Sequence, residues 1–549
     1  MTADPAPDLL VTVDVLVRGG RLADAVRACR QALAEDPGSV AAFHCLCMLL
    51  SGQGQWAEAL DCARKALSLA PDHFAATLNA GMLLGRLGRA DEALETLKRA
   101  VALAPGRFEA HQALGNAHAA AGRHGAALAS FRQALALAPA DPGCANNLGA
   151  TLLNLGCPQE AEAILAHAHA SAPYHEGIAG NLAEAWRVLD RLDAAEALCR
   201  ELMAAEPQSA VAHRRLGMVR ADGGQLDDAI ALLRRAVELA PDEVETHIGL
   251  ALALLAAGRY GEGWREYEWR RRLPAWRADE PPLPGWGGEG LDGRAILLWG
   301  EQGIGDSVQF LRFAPAVKAL GATVLLKVDA ALGPLAAGAA GIDRLAGDGS
   351  LPPADCQASL HSLPVLLGVT LDSLPPPLPP PLPEAARQRW RSRLAPVEGL
   401  RVGLAWAGNA AHRLDTRRSL PPEALAVLDE IPGLEWINLQ LGPRRAEFGG
   451  RGWDFADHLT DLAETAALIA ELDVVVTVDT VIAHLAGTMG RPVLLLLPLA
   501  AEWRWLRGRA DSPWYPSVRL FRQQRPGDWA APLAEVRDHL REMTGRDHG

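Results

Sequence analysis

The sequence predicts an α superhelix followed by an α/β half made of two lobes, and three observations predict it. Prolines recur every 34 residues through position 241, strand and helix patterns alternate after residue 294, and a proline-rich run divides that second half.

The repeat comes first. Pro37, Pro71, Pro105, Pro139, Pro173, Pro207 and Pro241 stand 34 residues apart, which is the tetratricopeptide period. Counting back from each proline, the small residue required where two helices touch is Ala25, Ala59, Ala93, Ala127, Ala161, Ala195 and Ala229. Gly20, Gly54, Gly88, Gly122, Gly156 and Gly224 mark the turn inside each repeat, and Asp190 breaks that series in the sixth. Each helix pair cannot bury its apolar face alone, so neighbours stack into a superhelix with a concave groove. An eighth pair is expected from Val244 to about Leu273, with Trp264, Tyr267 and Trp269 either docking on the next domain or capping the array. Asn79, Asn147 and Asn181 share one repeat position on the groove side. An amide there offers donors and an acceptor to the backbone of an extended peptide, or is simply solvated.

Composition bounds the reading. A chain of 549 residues exceeds one core and suggests roughly three or four packing units. With 49% hydrophobic and 22% charged residues it is a folded protein, and a net charge of −13 argues against nucleic acid as a partner. Seven of the eight cysteines (Cys29, Cys45, Cys47, Cys62, Cys144, Cys157, Cys199) fall in the repeats without zinc-like spacing and read as small core residues in a reducing compartment. The start lacks the basic and long apolar stretches of a signal peptide, and the run Val493 to Leu497 is too short to span a bilayer. A cytoplasmic location without a transmembrane segment is expected.

The expected boundaries are a repeat superhelix over 6–273, a connector over 274–293 and a first lobe over 294–372. A Pro-rich linker with a lead-in helix (373–399), a donor-binding lobe (400–530) and a C-terminal helix and tail (531–549) complete the chain. In the first lobe Ala295 to Trp299 reads as a strand, Gly300 to Gly305 as a glycine-rich turn, Asp306 to Leu320 as a helix and Thr323 to Val328 as a strand. In the second, strands are expected at Arg401 to Trp406, Trp436 to Leu441, Val474 to Val478 and Val493 to Leu497, with helices at Thr465 to Leu472 and Ile482 to Met489. Two parallel sheets follow. Leu374 to Pro383 holds seven prolines in ten residues and must be an extended, stiff spacer.

Two motifs carry chemistry. Gln302, Gly303, Gly305 and Asp306 follow a strand, where open α/β sheets bind ligands; Asp306 is a cleft carboxylate able to accept a proton, a helix cap, or both. In the second lobe, Asp479 and Thr480 lead from a strand into a helix bearing His484 and Gly487. Free N–H groups at such a helix start suit a diphosphate. Asn409 and Gln440 lie at the ends of neighbouring strands and join the same expected donor site.

Together these residues resemble GT-B glycosyltransferases related to the ADP-heptose heptosyltransferases, from about Ala295 to Gln523. The resemblance is closest to bacterial tetratricopeptide-repeat glycosyltransferases, through Gly263-Trp264, Tyr267-Glu268-Trp269-Arg270, Trp406-Ala407-Gly408-Asn409 and Trp503-Arg504-Trp505. Trp514-Tyr515-Pro516 and Arg519-Leu520-Phe521-Arg522-Gln523 extend it, and the layout is similar to O-GlcNAc transferase. It implies two Rossmann-like lobes, Asp306 as the base that activates the acceptor, and Asp479, Thr480 and His484 in the donor site. The family's donor-phosphate lysine is missing: no lysine follows Lys327. His412, Arg413, Arg417 and Arg418 occupy the comparable loop, where Arg413 or Arg418 can grip phosphate.

No Asp-x-Asp triplet occurs, so neither a metal nor a cofactor is expected, and the helix N-terminus and arginines would stabilise the departing nucleoside diphosphate. The expected activity is sugar transfer from a nucleotide sugar to a protein held in the groove, with flagellin one candidate by analogy. The alternatives are a non-catalytic repeat scaffold and a heptosyltransferase acting on lipopolysaccharide core.

Overall fold

The computed structural model describes residues 6–347, 353–409, 412, 414–429 and 431–546, which fall into two compact units, 1–189 and 190–549. The expected α superhelix followed by parallel α/β sheets is the architecture found.

In the first unit, first helices of 13 residues alternate with second helices of 14, from Ala6–Arg18 to Glu176–Val188. The alanine positions explain the stacking: Ala25, Ala59, Ala93, Ala127 and Ala161 have no exposed surface. Glycines on the first helices do the same from the other side. A Cβ at Gly81, Gly115 or Gly149 would lie 2.5–2.6 Å from Leu97, Phe131 or Leu165 of the following helix. Ser39, His73, Asp141 and His175 cap first helices by accepting a backbone N–H, satisfying donors that a helix start leaves open. Cys29, Cys45, Cys47, Cys62 and Cys144 are buried without disulfides, whereas Cys157 is exposed at the start of Pro158–Ser171 and so is not the core residue expected. Burial pushes the Cys29, Cys47 and Cys144 thiols up to about 12, which leaves them inert.

The second unit opens with repeat helices, ending in Val244–Ala256 and a shortened helix, Tyr260–Tyr267, that tightens into a 3₁₀ turn, Glu268–Arg272. The aromatics of this eighth pair part company. Trp264 is buried edge-on against Phe310 and Trp503, and Trp514 donates its indole N–H to the Tyr260 hydroxyl at 2.7 Å. Trp264 thus docks between the two lobes, whereas Trp269 stacks on His247 of its own repeat pair, with ring centres 3.5 Å apart. The connector is ordered too: the Trp286 N–H donates to the Gln357 carbonyl and the Gln357 N–H to the Pro284 carbonyl, adding an extended edge to the first sheet.

The first lobe holds four parallel strands, β1 (Ala295–Trp299), β2 (Thr323–Lys327), β3 (Arg344–Leu345) and β4 (Cys356–Ser359), in the order β3-β2-β1-β4. The second holds β5 (Leu400–Ala405), β6 (Leu434–Asn438), β7 (Val474–Val478), β8 (Val493–Leu497) and β9 (Val518–Arg522), in the order β6-β5-β7-β8-β9, also all parallel. The expected helix from Asp306 to Leu320 is three short pieces, Ile304–Phe310, Leu311–Phe313 and Ala314–Lys318, because Pro315 has no N–H to carry the helix through. The proline run is more than a spacer. Leu374, Leu378 and Leu382 pack on the shared core, and Arg312 donates to the Pro375 carbonyl at 3.3 Å. No helix among the described residues is long and apolar enough to cross a membrane.

Candidate active site

Sheet order locates the site. Each sheet reverses its winding once, between β1 and β4 in the first lobe and between β5 and β7 in the second, and crevices for ligands open at the carboxyl ends of strands at such reversals. At the first reversal Glu301, Gln302 and Asp306 follow β1, and His361 follows β4. At the second, Trp406 to Asn409 follow β5, and Asp479 and Thr480 follow β7.

The lobes meet where Ile304–Phe310 packs on Val481–Thr488. Gly305 permits this: a Cβ there would sit 2.8 Å from the His484 ring. Gly487 plays the same part against Tyr515, with a Cβ only 2.7 Å from the ring. Both glycines therefore serve close packing. His484 is buried in that contact, its Nδ1 2.8 Å from the Tyr515 hydroxyl and its Nε2 3.9 Å from Asp479. Burial, reinforced by the Arg504 charge, pushes its pKa down to about 4, so it is neutral at pH 7.

Asp306 unites the two readings made of it. Its Oδ2 accepts the Gly303 N–H at 3.2 Å, as a first-turn cap does, while Oδ1 forms an ion pair with Arg504 of the second lobe. Burial raises this carboxyl, but Arg504, then His361 and His484, outweigh it and hold the pKa below the usual carboxylate range. Asp479 and Glu502 also act on Arg504, so one guanidinium serves three carboxylates from both sides of the cleft.

Beneath Asp306 lies a charged network. Glu301 pairs with Arg270 at 2.6 Å and accepts the Ser359 hydroxyl; Arg270 also holds Glu268 and Ser362. Buried His361 stands between the carboxylates, Nδ1 3.6 Å from Glu301 and Nε2 4.0 Å from Asp306, with neither nitrogen hydrogen-bonded to a protein group. Burial drives its pKa to about 4. Gln302 takes a left-handed φ of 63° without being glycine, and its amide donates to the Tyr267 hydroxyl at 2.7 Å. Backbone held in such a region is a mark of a site fixed by its surroundings.

In the second lobe Gln440 is a brace: its Oε1 accepts the N–H groups of Trp406 and Ala407 at 3.2 and 2.9 Å, shaping the turn that presents Asn409. Gly408 lets Asp415 and Arg418 approach, since a Cβ would lie 2.2 Å from Asp415 and 2.5 Å from Arg418. Arg418 pairs with Asp415 at 3.0 Å; Arg413 lies outside the described residues. Thr480 caps Val481–Thr488 through the Ile482 N–H at 3.3 Å. Arg507 and Arg522 converge here as well. Arg522 donates to the carbonyls of Trp505 and Leu506, while burial and the Arg507 charge push its pKa down to about 10. Arg504 and Arg522 stand in the runs Trp503-Arg504-Trp505 and Arg519-Leu520-Phe521-Arg522-Gln523, and their roles emerge only from these contacts. Among the described residues no group of three or more His, Cys, Asp or Glu could hold a metal ion.

Asn79, Asn147 and Asn181 lie in the first unit. Each donates toward the preceding repeat, to His44 and Met48, to Asn116 and to Asn146 respectively, so they form a ladder between repeats.

Residues 459–526, which carry β7 to β9, Asp479, Thr480, His484, Arg504 and Arg522, match glycosyltransferase family 9 (heptosyltransferase), and 38–106, 78–142 and 221–263 match tetratricopeptide repeats. The chain thus carries tetratricopeptide repeats and a segment similar to glycosyltransferase family 9. A curated relative, FlbA of Caulobacter vibrioides, is 30% identical over 325 residues, 53% of this chain and 54% of FlbA. The chain thus spans about half the length of that relative. Among solved structures, a tetratricopeptide repeat protein from Parabacteroides merdae is similar at 18% identity, with a TM-score of 0.38 over 45% of this chain and 98% of that one. A thermophilic repeat protein of Thermus thermophilus is similar at 26% identity, with a TM-score of 0.29 over 32% of this chain and 97% of its own.

Proposed function

We propose that the chain transfers a sugar from a nucleotide-sugar donor to a protein acceptor recruited by its repeats. The observation that carries this reading is the convergence of both sheet reversals on one cleft, where Asp306 of the first lobe pairs with Arg504 of the second beside Asp479. The donor diphosphate would lie at the second-lobe reversal, near Asn409, Thr480 and the arginines. Asp306 would take the proton of the acceptor hydroxyl as its oxygen bonds to the anomeric carbon and the bond from that carbon to the diphosphate breaks. Departing charge would pass to Arg504 and its neighbours rather than to a metal. An incoming diphosphate competes with Asp306 for Arg504, which raises the basicity of Asp306 once the donor is bound.

Mass spectrometry of proteins from cells with and without the gene tests the acceptor: a glycosylated protein is expected only where the gene is present, and its absence would remove the protein acceptor from this reading. Removing residues 1–189 is expected to preserve nucleotide binding and slow donor hydrolysis while abolishing modification of that protein. The cut belongs at 189 and not further on, because Asp190 already touches the second lobe. Substituting Asn79, Asn147 and Asn181 together by alanine should weaken modification more mildly. If the shortened chain modifies its acceptor at full rate, the groove has another use.

A further inference from the structure

The turn inside each repeat is left-handed, with φ of 69–85° at Gly20, Gly54, Gly88, Gly122, Gly156, Gly224 and Gly258. Only the sixth repeat departs from glycine, and Asp190 adopts φ 59° there all the same. A Cβ at Gly20, Gly54, Gly88, Gly122 or Gly224 meets nothing within 4 Å, and one at Gly258 meets only Leu371, at 3.4 Å. A side chain at this position therefore reaches outward. At Asp190 it reaches Arg417, whose other nitrogen lies 3.1 Å from Asp222 of the seventh repeat. The Arg417 side chain is 5% exposed, so this guanidinium is buried against two carboxylates of the repeats.

Arg417 belongs to the connection after β5. Its neighbour Asp415 accepts the Ser419 hydroxyl at 2.9 Å, and that hydroxyl accepts the Gly408 N–H at 3.1 Å. A chain of contacts thus runs from the turn of the sixth repeat and the helix end at Asp222 of the seventh to the backbone that presents Asn409. A second tie is Arg507, which donates to the Ala221 and Asp222 carbonyls at 3.3 and 3.4 Å and to Leu499 after β8.

We infer that Asp190 and Asp222 are positioning residues of the donor site: through Arg417 they hold the connection after β5 in its binding geometry, so the sixth and seventh repeats take part in nucleotide recognition. This rests on the donor-site reading above. Left-handed backbone without glycine is strained, and a buried arginine left without its carboxylates is unfavourable; together these give Asp190 a purpose beyond the turn.

Calorimetry on the full chain with ADP, UDP, GDP and CDP in turn tests this, following the best binder. Asp190→Gly restores the residue the turn prefers, which offsets the loss of one of the two carboxylates on Arg417 while Asp222 remains, so the thermal midpoint should stay close to that of the unaltered chain while affinity falls about 5- to 150-fold, the span usual for coupled sites. Asp222→Asn, which leaves that turn intact, should also weaken binding, and Asp190→Asn should weaken it less than Asp190→Gly. Unchanged affinity in Asp190→Gly overturns the inference alone, as does a loss that follows a fallen midpoint. If the unaltered chain binds none of the four, the donor-site reading fails and this inference with it.

Discussion

Replacing Asp306 by asparagine should slow sugar transfer about 10²- to 10⁴-fold, the usual loss when a general base is removed, and leave nucleotide affinity nearly intact. Asparagine has the shape of aspartate, so its oxygen can still accept the Gly303 N–H and keep the first turn of Ile304–Phe310. Arg504 loses one carboxylate but retains Asp479 and Glu502 as neighbours, which limits any rearrangement of the donor side. What disappears is a proton acceptor held ionised at the lobe boundary. Single-turnover measurement of donor consumption, alongside calorimetry with the same nucleotide, separates the effects. Near-normal turnover would leave Asp306 as a cap alone, and equal losses of turnover and affinity would point to a damaged cleft.

The second large effect is acid sensitivity of the two-lobed half. His361 and His484 titrate near 4 in the folded protein, burial being the main cause, against about 6.5 in an unfolded chain. Because the folded values are lower, the unfolded chain takes up these protons first as pH falls. The stability they secure is complete above about pH 6.5 and is lost between there and about pH 4, at about 3 kcal/mol for each across the whole window. Asp306 and Glu301 work in the same direction at lower pH. Their folded pKa values lie below the ordinary carboxylate values, so their contribution is present above those values and lost as pH falls through the folded ones. Urea midpoints followed by tryptophan fluorescence at pH 7.5 and 4.5 should therefore differ strongly, with Trp505 stacked on His484 as a local reporter. The double variant His361→Leu, His484→Met should flatten the slope. Equal midpoints at the two pH values for the unaltered chain would refute this account.

Much of the fold was legible because it depends on near neighbours. Strands β7 and β8 begin and end where their apolar runs do, and the repeat follows from residues set 34 apart. Strands β3, β4 and β9 are not among the expected ones, and β3 and β4 show why. The first has two residues, and the second carries Gln357 and Ser359, polar side chains buried because Trp299 and Glu301 give them partners. Gly305 and Gly487 read as donor-site residues, and a glycine needed for close helix packing leaves the same trace in a sequence.

By itself, the sequence determined the helical array, the two parallel lobes and the place of Asp306 and Asp479 at strand ends, because periodicity, turn residues and strand length act over one or two turns of chain. The tertiary structure alone decided which charges meet. Arg504 reaches Asp306 from 198 residues away, Arg417 reaches Asp190 from 227, and His361 comes to lie between Glu301 and Asp306 only because β1 and β4 are adjacent. Such pairings depend on the order of strands and the docking of helices, which fix distances of a few ångströms between residues with no local relation. The state of each ionisable group follows from them, as burial and a neighbour's charge set whether it holds or gives up a proton.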